Sequence, residues 1–233
     1  MQTQSIKFKI ILGLILFLLL TFCFLLISAS AQTTPEFLVS WKASSYVPAN
    51  YLGKIFPTKN SFIEAGFDLI DKNKVVDLSA SNIRWYQDEQ LISSGTGLKS
   101  IKFQEIKSGG TSQLIRITVG YKGNDLDYLF SIPVASPSVV IDAKVPYKEI
   151  RTGLRRIVAQ PYFFNVNNLK NLNFSWSLNG KKVSGFAENP EILELDLNSQ
   201  GTPIKTELSV GATIQNVFNQ LELAGKSLNL IVK

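Results

Sequence analysis

Histidine is absent from all 233 residues, and cysteine occurs once, as Cys23. The missing histidine removes the side chain best suited to proton transfer near neutral pH, and with it the Ser-His-Asp triad and the Cys-His pair. Beyond residue 31 there is no cysteine or histidine to build a zinc site of the usual kind, and no pair of thiols to form a disulfide. A core without disulfides is held by packing alone. No P-loop, dinucleotide fingerprint, EF-hand loop or Gly-x-Ser-x-Gly elbow occurs, so no cofactor is implied. A long amphipathic helical pattern is also missing after residue 31.

What is present begins with a leader. Lys7 and Lys9 precede Ile10 to Ile27, an apolar run broken only by Gly13 and Thr21, and Ser28-Ala29-Ser30-Ala31 follows. Basic, apolar and small-residue regions in that order make a secretory signal, with Ala29 and Ala31 preceding a cut before Gln32. The alternative is a retained anchor. The run has 18 residues, between the ~7–15 of a signal core and the ~20 of a spanning helix. Either way the lysines hold the N-terminus in the cytoplasm and Gln32 onward is extracytoplasmic. Cys23 follows Phe22 rather than a small residue, so it reads as an apolar residue and not as a lipid attachment site.

The formal charge is +6; Lys7 and Lys9 supply two of these and the leader has no acid, leaving +4. The best basic cluster is Lys148, Arg151, Arg155 and Arg156, with Glu149 among them. It reads as a solvated edge, the alternative being contact with an anionic polymer or headgroup. Nucleic acid is not an expected partner, because its binders carry a clustered basic face.

Short alternating runs predict half-buried strands: Ile83–Gln87, Ile115–Val119, Tyr128/Phe130/Ile132, Phe174–Leu178, Leu193–Leu197 and Leu228–Leu230. Turn signals separate them at Gly95-Thr96-Gly97, Gly109-Gly110, Gly123-Asn124, Asn179-Gly180 and Gly201-Thr202-Pro203. An internal repeat accompanies the pattern. Asn82-Ile83-Arg84-Trp85 is echoed by Asn173-Phe174-Ser175-Trp176, 91 residues on, and Ile117–Gly120 by Leu208–Gly211 at the same offset. Between these blocks Ile101 and Phe103 match Leu193 and Leu195, a slip of one residue. The expectation is an all-β chain: a leader over 1–31, then two tandem immunoglobulin-like antiparallel sandwiches over 32–135 and 136–233, divided near Pro133 and Pro137.

A tryptophan in a central strand, followed by a hairpin and alternating strands, resembles immunoglobulin-like or PKD-like bacterial surface modules, with Trp85 and Trp176 as the core tryptophans. The chain is also similar to a group of two-domain exported proteins of small-genome bacteria. That similarity rests on Trp41-Lys42-Ala43, Tyr46-Val47-Pro48 and Gly53-Lys54 in the first half. In the second half it rests on Pro161-Tyr162-Phe163-Phe164 and Trp176–Gly180. The immunoglobulin cysteine pair is missing, and Trp85 leads into Tyr86-Gln87-Asp88 instead of the PKD signature. The resemblance implies envelope association and supplies no active site.

Carboxylate chemistry needs only two acids. Asp68, Asp71, Asp125 and Asp127 are the candidates, though aspartate beside turns usually serves local hydrogen bonding. Ser93 and Ser184 fall at matching hairpin positions and read the same way. Tyr46, Tyr51, Phe56, Tyr162 and Phe163 are the candidate binding surface; the alternative is that they plug the domain junction. Consecutive Phe163 and Phe164 face opposite sides of a strand, so one of them faces away from its own core. The expected function is non-enzymatic: a structural, adhesion or assembly module whose partner is an envelope protein or glycan, with the membrane engaged through residues 10–27 if the leader is retained. The alternatives are a carbohydrate-binding or carbohydrate-processing protein and an accessory subunit of a membrane complex.

Overall fold

The computed structural model describes residues 34–198, 203 and 205–233. The leader with Cys23, Ala29, Ala31 and Gln32, and the turn at Gly201-Thr202, lie outside them. Alternation of apolar and polar residues turns one face of each run inward, and all six runs lie in strands. The first half forms β1 (Glu36–Ala43), β2 (Phe62–Asp71), β3 (Lys74–Val75), β4 (Asn82–Gln87), β5 (Gln90–Thr96), β6 (Ser100–Gln104), β7 (Ser112–Tyr121) and β8 (Asn124–Pro133). The second forms β9 (Ser138–Asp142), β10 (Glu149–Ile150), β11 (Gly153–Tyr162), β12 (Leu172–Leu178), β13 (Lys181–Val183), β14 (Ile192–Leu197), β15 (Glu207–Asn216) and β16 (Leu223–Val232).

Four hairpins close on two residues that both take positive φ: Lys72-Asn73, Asp88-Glu89, Lys122-Gly123 and Asn179-Gly180. This turn matches the right-handed twist of the strands it joins. The Gly123 turn sits one residue earlier than the Gly123-Asn124 signal placed it. Lys72-Asn73 and Asp88-Glu89 contain no glycine, which is why composition did not mark them.

In the first half β2 lies between β1 and β6, with β3 on the far end of β2, and this sheet faces β5-β4-β7-β8. In the second half β14-β11-β9 faces β13-β12-β15-β16, which β10 extends by running parallel to β16. Apart from β3 and β10 the two halves share one strand order. The fourth strand of that order pairs beside the tryptophan strand, giving two immunoglobulin-like sandwiches. Each encloses its own core, one around Ile63, Ile83, Trp85 and Ile117, the other around Ile157, Trp176, Val210 and Leu230.

Trp85 and Trp176 are 0% and 2% exposed. Each indole Nε1 donates to a main-chain carbonyl 2.9 Å away, that of Leu98 in the first half and of Pro190 in the second. Those acceptors are 92 residues apart, so the slip of one is taken up before β6 and β14. The later block departs from the sequence match. Trp85 pairs with Ile117, whereas Trp176 pairs with Ala212, so β7 and β15 correspond at 95 residues rather than 91. A shift of four preserves the inward and outward faces and leaves the alternation unchanged. Ser93 and Ser184 are not equivalent either. A bulge at Trp85/Tyr86 brings Ser93 opposite Trp85, while Ser184 lies beyond the end of β13.

Trp176→Ala should destabilise the second sandwich by about 3–5 kcal/mol through lost burial and cavity formation. Chemical denaturation should then show that sandwich unfolding before the first.

Candidate functional site at the inter-domain junction

The connection between β1 and β2, residues 44–61, is too long for a hairpin turn and does not stay on its own sandwich. Its ends are pinned together: Ser44 N donates to Phe62 O at 3.0 Å and Phe62 N to Ser44 Oγ at 2.9 Å. Between them Tyr46 reaches the second sandwich. Tyr46 N donates to Phe164 O and Phe163 N to Tyr46 O, both at 2.7 Å, forming an isolated antiparallel bridge. The Tyr46 ring packs against the second core, and burial raises its phenol pKa, with Glu191 adding to the effect.

The aromatic candidates converge here. Tyr51 meets Tyr162 and Phe163 edge-on at 5.7 and 6.0 Å between centroids. Phe56 lies 6.1 Å from Phe163 and 6.1 Å from Trp41. The Lys54 ammonium sits 4.0 Å over the Trp41 ring. Phe164 is fully buried in the second core, whereas Phe163 takes φ 59° and turns its ring toward the connection. Positive φ is unfavourable for a bulky side chain, so the contacts with Tyr51 and Phe56 hold Phe163 against its local preference. All five candidates are partly buried at the junction.

A second crossing runs beside the first. Val134–Pro137 links β8 to β9, and Ala135 N donates to Pro57 O of the connection at 2.8 Å. The β6–β7 turn closes on this linker so tightly that a Cβ on Gly109 would stand 2.4 Å from Ser136 N. Beyond it lies a cleft of about 270 Å³ between the sandwiches, lined by Lys59, Ser108, Pro137, Leu221, Glu222 and Leu223 among others.

Two buried carboxyls support this region. Glu222 accepts from Asn165 N at 2.7 Å and from Asn216 Nδ2, tying together two loops of the second sandwich. Glu105 has no exposed surface; Oε1 accepts from Lys107 N at 2.7 Å and Oε2 has no partner among the described residues. Its main chain holds the returning connection, with Asn60 N donating to Glu105 O and Glu105 N to Ser61 O. Burial raises the Glu105 pKa from its ordinary value. Neither residue stood out as a motif. Strand parity marks both, since Glu105 continues Ile101 and Phe103, and Glu222 shares the phase of Ala224 and Leu228.

The aspartates are dispersed. Asp68 pairs with Lys99 at 2.6 Å on the β2 sheet, and Asp71 accepts from Lys122 at 2.7 Å and Tyr121 at 2.8 Å. Those bonds, Lys122 foremost, lower the Asp71 pKa. Asp125 pairs with Arg84, and Asp127 accepts from Thr118 Oγ1, on the opposite sheet. Among the described residues no group of three or more His, Cys, Asp or Glu is arranged to hold a metal.

The outer face of the β1-β2-β6 sheet carries a trough of about 600 Å³. Ser40, Gly66 and Ser100 lie in register across its floor. Lys42, Glu64 and Lys102 form one wall, with Glu64 bonded to Lys42 at 2.7 Å.

No protein-family model matches the chain, and no curated protein matches it. Solved structures do. The fibronectin(III)-like modules of CbhA from Clostridium thermocellum are 14% identical over 84% of this chain and 94% of theirs, with a TM-score of 0.30. The three N-terminal domains of the Hoc outer capsid protein of bacteriophage RB49 are 9% identical over 84% of this chain and 59% of theirs, with a TM-score of 0.41. A mixed-linkage glucan utilization locus protein of Bacteroides ovatus, SGBP-B, solved with a mixed-linkage heptasaccharide, is 15% identical over 88% of this chain and 48% of its own, with a TM-score of 0.26. These likenesses extend no further than the sandwich fold.

Gly109→Ala should force the linker away and cost about 1–3 kcal/mol. Limited proteolysis near residues 134–137 should speed up as a result. A second expectation concerns Glu105. Its folded pKa lies above the unfolded one, so the folded state holds the extra proton between the two values, and stability falls as pH rises through that window. Denaturation of wild type and Glu105→Gln across the carboxylate range should therefore show the difference moving in favour of wild type as pH falls.

Proposed function

We propose that the chain is an exported, non-enzymatic tandem module that presents two sandwiches in a fixed relation, serving structural, adhesion or assembly roles in a bacterial cell envelope. One observation carries this reading: the junction is crossed twice, by residues 44–61 and by Val134–Pro137, and the aromatic side chains pack across it. The rings that would otherwise offer a stacking platform hold the sandwiches together instead. The candidate aspartates serve as ion-pair and turn partners on separate sheet faces. Two rigid bodies held at one angle recognise a partner by surface shape, and preorganisation lowers the cost of binding.

A second reading, glycan binding, is favoured by the trough over Gly66. Its floor of small and hydroxyl-bearing residues, walled by Lys42, Glu64 and Lys102, suits a hydroxyl-rich chain. A Cβ on Gly66 would lie 3.4 Å from Ser100 Cβ, so Gly66→Val fills the trough with only a small adjustment of that side chain. A glycan microarray probed with the wild type should show binding that Gly66→Val loses; an empty array removes this reading.

Export is tested by sequencing the N-terminus of the chain purified from its host. Gln32 at the start, outside the cytoplasm, means a cleaved signal; Met1 in the membrane fraction means a retained anchor and an accessory subunit. Recovery of Met1-bearing chain from the cytosol would sink the reading. Rigidity is tested by residual dipolar couplings, which should fit one alignment tensor for both sandwiches; two independent tensors would count against it.

A further inference from the structure

The connection from β9 to β11 and the end of β16 enclose a second concavity, at the pole of the second sandwich farthest from the first. β9 enters this sandwich at the junction and runs away from it, so the segment from Ala143 to Thr152 lies at the opposite end. The cleft measures about 470 Å³ and is lined by Lys144, Arg151, Leu154, Arg155, Arg156 and Lys233, with Glu149 the one acidic side chain; the main-chain oxygen of Lys233 accepts from Thr152 N at 3.3 Å. Two of its cations are compensated: Lys233 pairs with Glu149 at 2.6 Å, and Arg156 with Glu194 at 2.7 Å. Asp142, in the neighbouring hollow, accepts from the Lys144 main-chain N–H at 2.8 Å. Asp196 lies across from Leu154 and accepts from Asn198. The charges of Lys144, Arg151 and Arg155 have no carboxylate partner among the described residues.

Arg155 is fixed in place. Its Nε donates to Arg151 O and its Nη2 to Thr152 O, both at 2.9 Å. A guanidinium has five N–H donors, so three remain for a ligand on a group that is already oriented. The surrounding chain is held in an unusual shape: Lys144, Tyr147 and Lys148 take φ of 51°, 53° and 61°. Tyr147 follows the lining residue Pro146 and is 90% exposed. Val145, Pro146 and Leu154 add apolar walls.

We infer that this cleft binds phosphate groups carried on a polyol, as in a polyol-phosphate polymer, and not those of a nucleic acid. The inference deepens the module reading by naming the chemistry of its partner. An oriented guanidinium with two further cations matches phosphate oxygens, which accept bidentate bonds. The apolar walls suit the carbon backbone between successive phosphates. The cleft lies at the pole away from the first sandwich, and β1, through which a leader would join the fold, begins at Glu36 on the far pole of the first sandwich. That placement favours a polymer over the headgroups of the membrane the leader would enter.

The test uses the chain from Gln32 to Lys233 in three forms: wild type, Lys144→Glu with Arg151→Glu, and Lys181→Glu with Lys182→Glu, which makes the same charge change on the exposed β13. Probes are a glycerol-phosphate oligomer, vesicles containing phosphatidylglycerol, a polyglutamate peptide and a single-stranded oligonucleotide of equal charge. The expected result is saturable, salt-sensitive binding of the oligomer, weakened at least tenfold by Lys144→Glu with Arg151→Glu and less than twofold by the β13 variant. Amide shifts on titration should centre on residues 143–156. Vesicles competing as well as the oligomer would assign the phosphate to lipid and leave the inference standing. No binding of oligomer or vesicles, equal weakening by both variants, or tighter binding of the peptide or oligonucleotide would overturn it. The dipolar couplings are measured without any ligand, so failure of anion binding and failure of the rigid-module reading are separable.

Discussion

The bridge between Tyr46 and Phe164 sets the relation on which the rest of the molecule depends. Two main-chain hydrogen bonds join Tyr46, in the β1–β2 connection, to Phe163 and Phe164, 117 and 118 positions on and just past β11. A short linker alone would leave two sandwiches free to swing, as is usual for tandem domains. Here the connection adds a second crossing, and the aromatic rings around Phe163 pack against one another across the space between. Each ring contact is modest, about 0.5–1.5 kcal/mol beyond its area burial. Together they compensate a backbone conformation that phenylalanine disfavours.

That arrangement decides which surfaces remain for recognition. One pole of each sandwich is consumed at the junction, so the sheet faces and the two far poles are what a partner can meet. The charged side chains divide along the same line. On the first sandwich, Arg84, Lys99 and Lys122 pair with Asp125, Asp68 and Asp71, spreading charge evenly over the faces. Exposed pairs of this kind contribute little to stability, but they leave no excess of one sign. At the far pole of the second sandwich, Lys144, Arg151 and Arg155 lack such partners, and positive charge is concentrated there.

Much of the fold was legible because alternation reports burial residue by residue. Ile83 and Trp85 in β4, and Leu193 and Leu195 in β14, turn inward as the pattern requires. The same parity carried Glu105 onto the core face beside Ile101 and Phe103, although a buried glutamate goes against composition. The repeat was partly legible. The tryptophan block and the slip before β6 and β14 correspond to real structural equivalences. The match of Ile117 to Leu208 does not, because a four-residue shift between β7 and β15 leaves the pattern of faces intact. Alternation has a period of two and cannot register an even displacement.

The candidate site was legible in its members and not in its role. Tyr46, Tyr51, Phe56, Tyr162 and Phe163 were identified as a candidate binding surface or, alternatively, as plugs of the domain junction. Their convergence follows from where the connection lands, which no local pattern encodes. The basic cluster was seen as Lys148, Arg151, Arg155 and Arg156; Lys148 lines the neighbouring hollow instead, and Lys144 and Lys233, which complete the cleft, went unseen because the end of β16 meets β10 only once the sandwich closes. The sequence by itself determined the strands, their inward faces, the paired tryptophans and the absence of histidine chemistry, all of which are properties of composition or of a few consecutive residues. Tertiary structure alone decided that residues 44–61 reach across to the second sandwich and that five cations share one cleft, because those contacts join segments far apart in the chain and depend on how finished sheets pack.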